Sequence, residues 1–428
     1  MQFVSECSLS KIITQLQNKE LSPEKLIDDL YEKLDKWNPK IQAFLPEPNR
    51  KERLLKDLAK LYRNFPNPDT RPILFGIPIG VKDIFQVDGF ETKAGSLLPS
   101  NVFKGKEAEV VTKLKQAGAL IMGKTVTTEF AYFHPGPTSN PHSFNHTPGG
   151  SSSGSAAAVA AGFCPLSLGT QTIGSISRPA SFCGTIGFKP SFGRISTEGV
   201  IPFSRSADHI GFFTQDLKGS KIVASILCDN WNDRLSEHNK KPILGIPEGK
   251  YLQLASPKIL SAFYQNIKNL QEKGFDVKSV PALDNIDEII EKHKLMNAAE
   301  FAQVHKNWFP KFKSKYHQAT FDLIEKGRNI PEQIINTARE GRIKLREKLA
   351  HIQERNGIDL WISPSAPTTA PKGLDSTGDP AMNLPWTYAG IPTLSIPFGY
   401  IDQLPFGIQF AGTYNNDEFL FKMIKNIL

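Results

Sequence analysis

One short stretch of the chain has the composition of a loop that carries a catalytic hydroxyl. GTQTIGSISRPASFCG, residues 169–184, is rich in glycine, serine and threonine. A serine attacks a carbonyl group only when a base takes its proton, yet this stretch contains no histidine and no carboxylate. Two upstream segments offer further groups: TPGGSSSGSAAAVAAG (147–162) places serines before an alanine-built helix, and GIPIGVKDIF (76–85) places Lys82 just after an apolar strand. These three segments together suggest one site.

Each of these residues also has an ordinary structural interpretation. Serines at the start of a helix commonly cap it, and a single lysine usually lies at the surface or in an ion pair. Ser175, taken alone, is a loop hydroxyl. The joint occurrence of the three segments is what favours chemistry over these interpretations.

Three other motifs match known catalytic patterns but lie in the wrong context. GALIMGKT (118–125) matches the sequence pattern of a phosphate loop, yet an amphipathic helix precedes it and its middle residues are apolar. This context predicts the end of a helix followed by a buried strand. GSSSG (150–154) has the spelling of a nucleophile elbow at Ser152 but follows no strand. His142 and His146 lie four residues apart, but flanking prolines exclude the helix that a zinc pair of this spacing requires.

The order of predicted elements indicates an α/β architecture. Residues 1–66 have the caps and apolar spacing of a helical arm. Short apolar runs such as ILFGIPIGVKD, GALIMGK and LWISP predict buried strands separated by helical stretches. Residues 134–215 are rich in Gly, Ser and Pro, as expected of a segment that forms a site, and residues 284–355 return to amphipathic helices. One domain fits this pattern better than several.

The composition is that of an ordinary folded chain. Its 428 residues have 39% apolar side chains and a formal net charge of +8, but lysines alternate with glutamates at 325–355, as on a solvated helix face. This pattern does not favour nucleic-acid binding. We find no secretory signal, no apolar segment of membrane-spanning length and no CxxC pair among the four cysteines. We therefore expect a cytoplasmic protein without a metal site or membrane association.

Several segments, in order, resemble the amidase signature family. They include GIPIGVKDIF, AGALIMGKTVTTEFAY, NPHSFNHTPGGSSSGSAAAVAAG and LGTQTIGSISRPASFCGTIGFKPSFGRIS, which fall between about residues 70 and 215. Weaker similarity extends to SPEKLIDDLYEKLDKWNPKIQAF near the start and to LWISPSAPTTAP near the end. The resemblance implies an α/β fold in which helices cover both faces of a mixed β-sheet, formed by one amidase domain over 1–428.

The same resemblance assigns roles to individual residues. The family's Ser-Ser-Lys triad falls on Ser175 as nucleophile, Ser151 as bridging serine and Lys82 as base, with a cis peptide bond between Gly150 and Ser151. Burial behind an apolar strand disfavours the ammonium form of a lysine, and lowering its pKa by about three units corresponds to roughly 4 kcal/mol. No metal or organic cofactor is implied. The family's oxyanion hole is formed by the backbone N–H groups of Thr172, Ile173, Gly174 and Ser175.

Three positions depart from the wording that is common in the family. Gln171 replaces an aspartate, Ile173 a glycine and Ser177 an arginine, with Arg178 one position later. Because the acid and the base are lost together, we expect that they pair in other members and that a neutral substitute serves here. Ile173 is expected to narrow the pocket mouth and to disfavour bulky acyl groups.

Aromatic side chains are expected to line the substrate pocket, although such residues belong to a core more often than to a pocket. By resemblance, the helical segment 284–355 and the loops 131–137 and 378–388 shape that pocket. The candidate lining residues are Phe133, Trp386 and Tyr388.

The resemblance implies an amidase that hydrolyses the C–N bond of a linear, non-peptide amide through an acyl-enzyme and releases an acid plus ammonia or an amine. The alternative is the glutaminase component, the A subunit, of a tRNA-dependent amidotransferase, which uses the same triad and passes ammonia to a partner. A catalytically silent scaffold is a third hypothesis, against which the retained triad argues. The expected partner is a small-molecule amide, and the sequence leaves a homodimer open.

Overall fold

A ten-stranded mixed β-sheet organises the chain. The structure, a computed structural model, describes residues 3–232 and 240–428. The strands lie in the order β2-β1-β3-β5-β4-β9-β10-β8-β6-β7. Strands β1, β2 and β3 are parallel, β5, β4, β9 and β10 run antiparallel to their neighbours, and β6 is parallel to both β7 and β8. The strands are β1 (Pro78–Lys82), β2 (Leu120–Thr125), β3 (Ser167–Gln171), β4 (Ile186–Lys189), β5 (His209–Thr214), β6 (Leu244–Glu248), β7 (Val277–Pro281), β8 (Leu360–Pro364), β9 (Thr393–Ile401) and β10 (Leu404–Ala411).

Fourteen helices of the described residues surround this sheet, and the predicted α/β fold with a mixed sheet is confirmed. Strands β1 to β5 are buried along their whole length, which explains why they appear in the sequence as continuous apolar or small-residue runs. The helices are α1 (Leu9–Gln17), α2 (Pro23–Ile41), α3 (Arg50–Asn64), α4 (Glu109–Gln116), α5 (Ser153–Ala160), α6 (Ser177–Cys183), α7 (Leu217–Leu227), α8 (Pro257–Glu272), α9 (Ile286–Val304), α10 (Phe309–Phe312), α11 (Gln318–Arg328), α12 (Glu332–Asn356), α13 (Leu384–Ala389) and α14 (Asp417–Lys425).

The outer helices follow the local signals in the sequence. Helix α2 begins with Ser22, whose side chain accepts a hydrogen bond from the Lys25 N–H, and with Pro23 in its first turn. Helices α1 to α3 lie within residues 1–66, with α3 packed on β2 and α1 packed on α7. Helices α11 and α12 both pack on α9. Among the described residues, no helix combines the length and the apolar composition needed to cross a bilayer.

The segment 118–125 forms a strand and not a phosphate loop. Helix α4 ends at Gln116, Gly118 follows with a φ of +92°, and β2 begins at Leu120. The Lys124 ammonium is buried, forms an ion pair of 2.7 Å with Asp83 and donates to the Phe85 carbonyl at 2.9 Å. The lysine is therefore occupied by structural contacts.

Helix α5 approaches the sheet closely because its side chains are small. All eight of its residues are buried, and it packs on β1, β2, β3 and β5. At Gly154 an added Cβ atom would lie 2.2 Å from the Ala43 carbonyl oxygen and 2.4 Å from the Val126 nitrogen. Only glycine fits there, since both neighbouring atoms are backbone. This packing fixes the start of α5, where the candidate serines lie.

The substitution Gly154→Ala is expected to lower the free energy of unfolding by about 2 to 4 kcal/mol, because two backbone segments would have to move to admit one methyl group. Chemical denaturation monitored by circular dichroism measures this change. Gly105→Ala is the control, since its Cβ would meet nothing closer than 3.7 Å, and its effect should stay within about 0.5 kcal/mol. Equal stability of the two variants would contradict the packing argument.

Candidate active site

Three predicted residues meet at one edge of the sheet. Lys82 is the last residue of β1, and Ser175 lies in the loop that connects β3 to α6. Because β1 and β3 are parallel neighbours, their carboxyl ends open at the same edge. Ser151 lies in the turn just before α5, which packs on both strands. The topology therefore brings segments from three distant parts of the chain together.

Lys82 is fully buried, and its amine contacts only hydroxyl groups among the described residues. Its Nζ lies 2.8 Å from Ser151 Oγ, 3.1 Å from Ser152 Oγ and 2.7 Å from Thr170 Oγ1. Burial lowers the pKa of Lys82 well below the usual lysine range, and the more distant Asp208 carboxylate opposes this shift. An ammonium would donate to all three oxygens, whereas a neutral amine would donate to two and accept from the third. The site satisfies both protonation states.

The hydrogen bonds distinguish the two neighbouring serines. The Ser152 hydroxyl donates to the Thr170 carbonyl at 3.2 Å and accepts from the Thr170 N–H at 3.2 Å, so its proton is already used. Within the described residues the Ser151 hydroxyl has no acceptor apart from the Lys82 amine, which leaves its proton available for transfer. The structure also has a cis peptide bond between Gly150 and Ser151, as the family resemblance implies.

Ser151 and Ser175 line one cavity of about 300 Å³. The same cavity is lined by Thr172, Ile173 and Gly174. In the part of the chain that the structure describes, the backbone N–H groups of residues 173–175 donate no hydrogen bond, so they are free to bind an oxyanion in the cavity. The geometry brings together the proposed nucleophile, the bridging serine and free N–H donors.

Gln171 holds the loop on the side away from the cavity. Its Oε1 accepts the N–H groups of Ile176 at 2.7 Å and Ser177 at 2.9 Å, and its Nε2 donates to Thr387 Oγ1 at 2.9 Å. The Ser177 side chain is buried and lies 3.5 Å from the Thr393 hydroxyl. Neutral groups therefore occupy both positions at which the family commonly has an acid and a base.

Arg178 is the one charged residue among the described residues that line this cavity. It is 2% exposed, and its Nη atoms donate to the Gly150 carbonyl at 2.6 Å, the Gly378 carbonyl at 2.8 Å and Thr377 Oγ1 at 3.1 Å. Its Nε has no partner among the described residues, and it forms no ion pair with them. Burial lowers the pKa of Arg178 to about 10, so the guanidinium remains charged at neutral pH.

Comparison with known proteins places this chain in one family. Residues 25–421 match the family model described as Amidase. The chain belongs to the amidase family. It is 31% identical to the A subunit of the glutamyl-tRNA(Gln) amidotransferase from Halothermothrix orenii, over 93% of this chain and 92% of that protein. It is 28% identical to the corresponding subunit of Fusobacterium nucleatum, over 98% of this chain and 95% of that protein.

Solved structures give the same result. A crystal structure of an amidase matches this family member with a TM-score of 0.89 and 28% identity, covering 98% of both chains. The peptide amidase from Stenotrophomonas maltophilia matches with a TM-score of 0.82 over 99% of this chain and 96% of its own, and at 24% identity it shows the shared fold alone.

The predicted aromatic lining is only partly found in this amidase. Phe133 lines the cavity and is 40% exposed. Trp386 and Tyr388 instead lie in the core on α13: the Trp386 indole N–H donates to Tyr251 Oη at 2.9 Å, and the Tyr388 hydroxyl donates to the Ala338 carbonyl at 2.5 Å. Both side chains are buried, and neither residue is among those that line this cavity.

The structure adds residues to the site that the sequence analysis does not name. Tyr132, Phe203 and Pro380 line the cavity. Thr387, between the two buried aromatics, donates to the Ile173 carbonyl at 2.7 Å and so supports the loop. Tyr132 adjoins Phe133 in the sequence and is open to the same reasoning, whereas Thr387 lies more than two hundred positions from its partner.

The remaining motifs of the sequence have structural roles. His142 and His146 lie in turns, with His142 Nε2 3.0 Å from the Cys183 carbonyl and His146 Nδ1 2.8 Å from Ser143 Oγ. The described residues contain no group of three or more histidine, cysteine or carboxylate side chains arranged for a metal ion. The four cysteines are free and buried: Cys7, Cys164, Cys183 and Cys228.

Replacing Gln171 by leucine is expected to disturb the loop that carries Ser175. The variant leaves the buried N–H groups of Ile176 and Ser177 without an acceptor, at a cost of about 1 to 3 kcal/mol each. The midpoint temperature of thermal unfolding and the rate of Ser175 labelling by a fluorophosphonate should both decrease. Gln171→Glu is the control, since its carboxylate still accepts both N–H groups and should retain more of the labelling rate. A leucine variant that labels like the wild type would refute this role.

Proposed function

We propose that this family member hydrolyses the C–N bond of a carboxylic amide through an acyl-enzyme, with Ser175 as nucleophile, Ser151 as bridging serine and Lys82 as base. The observation that carries this proposal is the buried Lys82 amine, 2.8 Å from a serine hydroxyl and in contact with no described carboxylate. A lysine in such surroundings is present as the free amine in a useful fraction at neutral pH, and that form takes protons.

The first half-reaction moves one proton along the relay. Ser175 Oγ attacks the amide carbonyl carbon and loses its proton to Ser151 Oγ, while Ser151 passes its own proton to Lys82 Nζ. The backbone N–H groups of Thr172, Ile173, Gly174 and Ser175, the oxyanion hole that the family resemblance implies, stabilise the oxyanion that forms. The proton returns through Ser151 to the amide nitrogen, and the C–N bond breaks. Ammonia or an amine departs, and the acyl group stays on Ser175 as an ester.

The second half-reaction repeats these steps with water. The relay takes a proton from the attacking water, a second oxyanion forms in the same N–H groups, and the Ser175 oxygen departs with the proton to release the acid. Every proton is accounted for by the three side chains, water and substrate, so the reaction requires no cofactor.

The cavity supports a short acyl group that carries an acidic oxygen. Ile173 is one of its lining residues, and we retain the expectation that this side chain narrows the mouth of the cavity and disfavours bulky acyl groups. Arg178 lines the cavity, and its buried guanidinium has an Nε without a partner among the described residues; a guanidinium is suited to a carboxylate or another anionic oxygen. We propose a linear amide of this kind as the substrate class, and we retain the expectation of a cytosolic location.

The alternative function is the glutaminase component of a tRNA-dependent amidotransferase. Its support is the similarity to the two amidotransferase relatives above, at 31% and 28% identity. The Fusobacterium alignment extends over 471 positions, more than the 428 residues of this chain, so the relative contains segments that this chain lacks. Amide hydrolysis by the purified chain alone supports the leading proposal, whereas glutaminase activity that requires a second subunit, tRNA and ATP supports the alternative. A homodimer stays a prediction.

A fluorophosphonate probe tests the triad without knowledge of the substrate. Wild type should be labelled at Ser175 and Ser175→Ala should not, while Ser151→Ala and Lys82→Met should slow labelling by about a thousandfold. Ser152→Ala is the matched control, and it should slow labelling far less because the Ser152 proton is already engaged. Since the free amine is the active base, the wild-type rate should fall as the pH decreases through the lowered pKa of Lys82. Labelling of Ser175→Ala would exclude this serine as the nucleophile.

Arg178→Met tests the proposed substrate class. Wild type should prefer half-amides of short dicarboxylic acids over neutral amides of equal length. In the variant the ratio of the two kcat/KM values should fall by about 10- to 100-fold, which is what one hydrogen bond to a charged group contributes. The ratio of kcat/KM values isolates this effect from any loss of stability. Arg328→Met, which removes an exposed arginine paired with Glu325, should keep the preference. An unchanged ratio in Arg178→Met would reject an anionic acyl group.

A further inference from the structure

A second cavity of about 390 Å³ adjoins the candidate active site. It shares Ala131, Thr172 and Phe203 with the first cavity. Most of its wall is apolar, but Thr170, Thr172 and the carboxylate of Asp208 also line it. Thr170, one of its lining residues, accepts a hydrogen bond from the Lys82 amine at 2.7 Å, so this cavity adjoins the lysine as well as the oxyanion loop. The reaction described above gives Asp208 no role.

The sheet register places Asp208 beside the oxyanion loop. Strands β3 and β5 are antiparallel, with Gln171 paired to His209, so Asp208 and Thr172 follow as the next opposed residues. The Thr172 hydroxyl donates to Asp208 Oδ1 at 2.5 Å. The other carboxylate oxygen accepts the backbone N–H groups of Phe203 at 2.8 Å and Ser204 at 3.0 Å. Three hydrogen bonds therefore fix the carboxylate in one orientation.

No described cation neutralises Asp208 by direct contact. Arg205 lines the same cavity from the adjoining loop. From helix α9, Glu300 faces this region, but its carboxylate is bound to Ser204, Ser206 and Arg339. Burial raises the pKa of Asp208 to about 6, against the hydrogen bonds from Thr172, Ser204 and Phe203. Asp208 is therefore mainly ionised at neutral pH, and its charge is the one that favours the ammonium form of Lys82.

The proposed reaction favours a negative charge that acts on Lys82 without touching it. When Lys82 receives the proton, an ammonium forms in a buried site that holds only hydroxyl groups. A carboxylate in direct contact would keep the lysine charged at all times and remove the base. The Asp208 carboxylate contacts Thr172, and the Lys82 amine contacts Thr170. Without direct contact, the carboxylate stabilises the ammonium and still allows it to lose its proton.

We propose that Asp208 is a positioning residue for the proposed reaction, which holds Thr172 at the oxyanion loop and supplies the distant negative charge that stabilises the Lys82 ammonium. This inference rests on the proposed function. It predicts that Asp208 acts on the rate through two separable effects, one of charge and one of geometry.

The test compares fluorophosphonate labelling rates as a function of pH in wild type and Asp208→Asn. The asparagine keeps all three contacts, because its oxygen accepts the two N–H groups and its amide donates to Thr172, while the charge is lost. Without that charge the pKa of Lys82 decreases, so the acid limb of the profile should move to lower pH by about half a unit or more. The plateau rate should also decrease because the base is weaker.

Two further variants separate the effects. Thr172→Val removes the hydrogen bond but keeps the charge, so it should lower the plateau and leave the acid limb at the wild-type pH. Asp379→Asn removes another carboxylate, whose Oδ1 accepts the Ala381 N–H, and should leave the acid limb unmoved. If Asp208→Asn does not fold, Asp208→Ser removes the same charge and should show the same shift.

The outcomes distinguish the two proposals. Absence of labelling in wild type would overturn the proposed function itself. Normal labelling in wild type, with acid limbs at the same pH in wild type and the Asp208 variant, would overturn the role of Asp208 and leave the triad intact. An acid limb that moves to lower pH in the Asp208 variant, but not in Thr172→Val or Asp379→Asn, would support the inference.

Discussion

The site depends on one amine that is removed from water and given only hydroxyl partners. Lys82 is fully buried between β1 and α5, with three hydroxyl oxygens within 3.1 Å. Burial favours the neutral amine, and the hydroxyl groups satisfy the nitrogen in either charge state. A contrast within the same fold is instructive: Lys124, on the neighbouring strand, is also buried but contacts Asp83 at 2.7 Å. The first lysine is suited to exchange protons, and the second is suited to hold the structure together.

The small residues around α5 serve the same amine. A helix built mainly of alanine, serine and glycine can lie against four strands at once, and this places Ser151 and Ser152 within reach of Lys82. Larger side chains would move the helix outward and lengthen the contacts on which proton transfer depends. The low sequence complexity of 150–162 is therefore a requirement of distance and not a sign of a flexible linker.

Much of the fold could be predicted from the sequence because the buried strands and capped helices carry local signals. The triad positions follow from the family resemblance, since neither periodicity nor composition identifies Lys82 as a base. The structure brings those residues together, and their roles stay a proposal. The aromatic prediction is weaker because composition does not distinguish a ring in the core from a ring in a pocket, and Trp386 and Tyr388 lie in the core. The proposed role of Asp208 and the contact of Thr387 escape sequence reasoning, because Asp208 meets Thr172 only through the sheet register and Thr387 meets Ile173 only through helix packing.

Arg178 links the turn that precedes Ser151 to the proline-rich loop that contains Gly378. One Nη atom binds the carbonyl of Gly150, next to the bridging serine, and the other binds the carbonyl of Gly378 in the proline-rich loop. The loop that closes one wall of the cavity is thus tied to the turn that carries the proton relay. An insertion or exchange that shifts Gly378 would therefore be felt, through Arg178, at the peptide that precedes Ser151. A change in the lining of the cavity is in this way coupled to the geometry of the proposed relay.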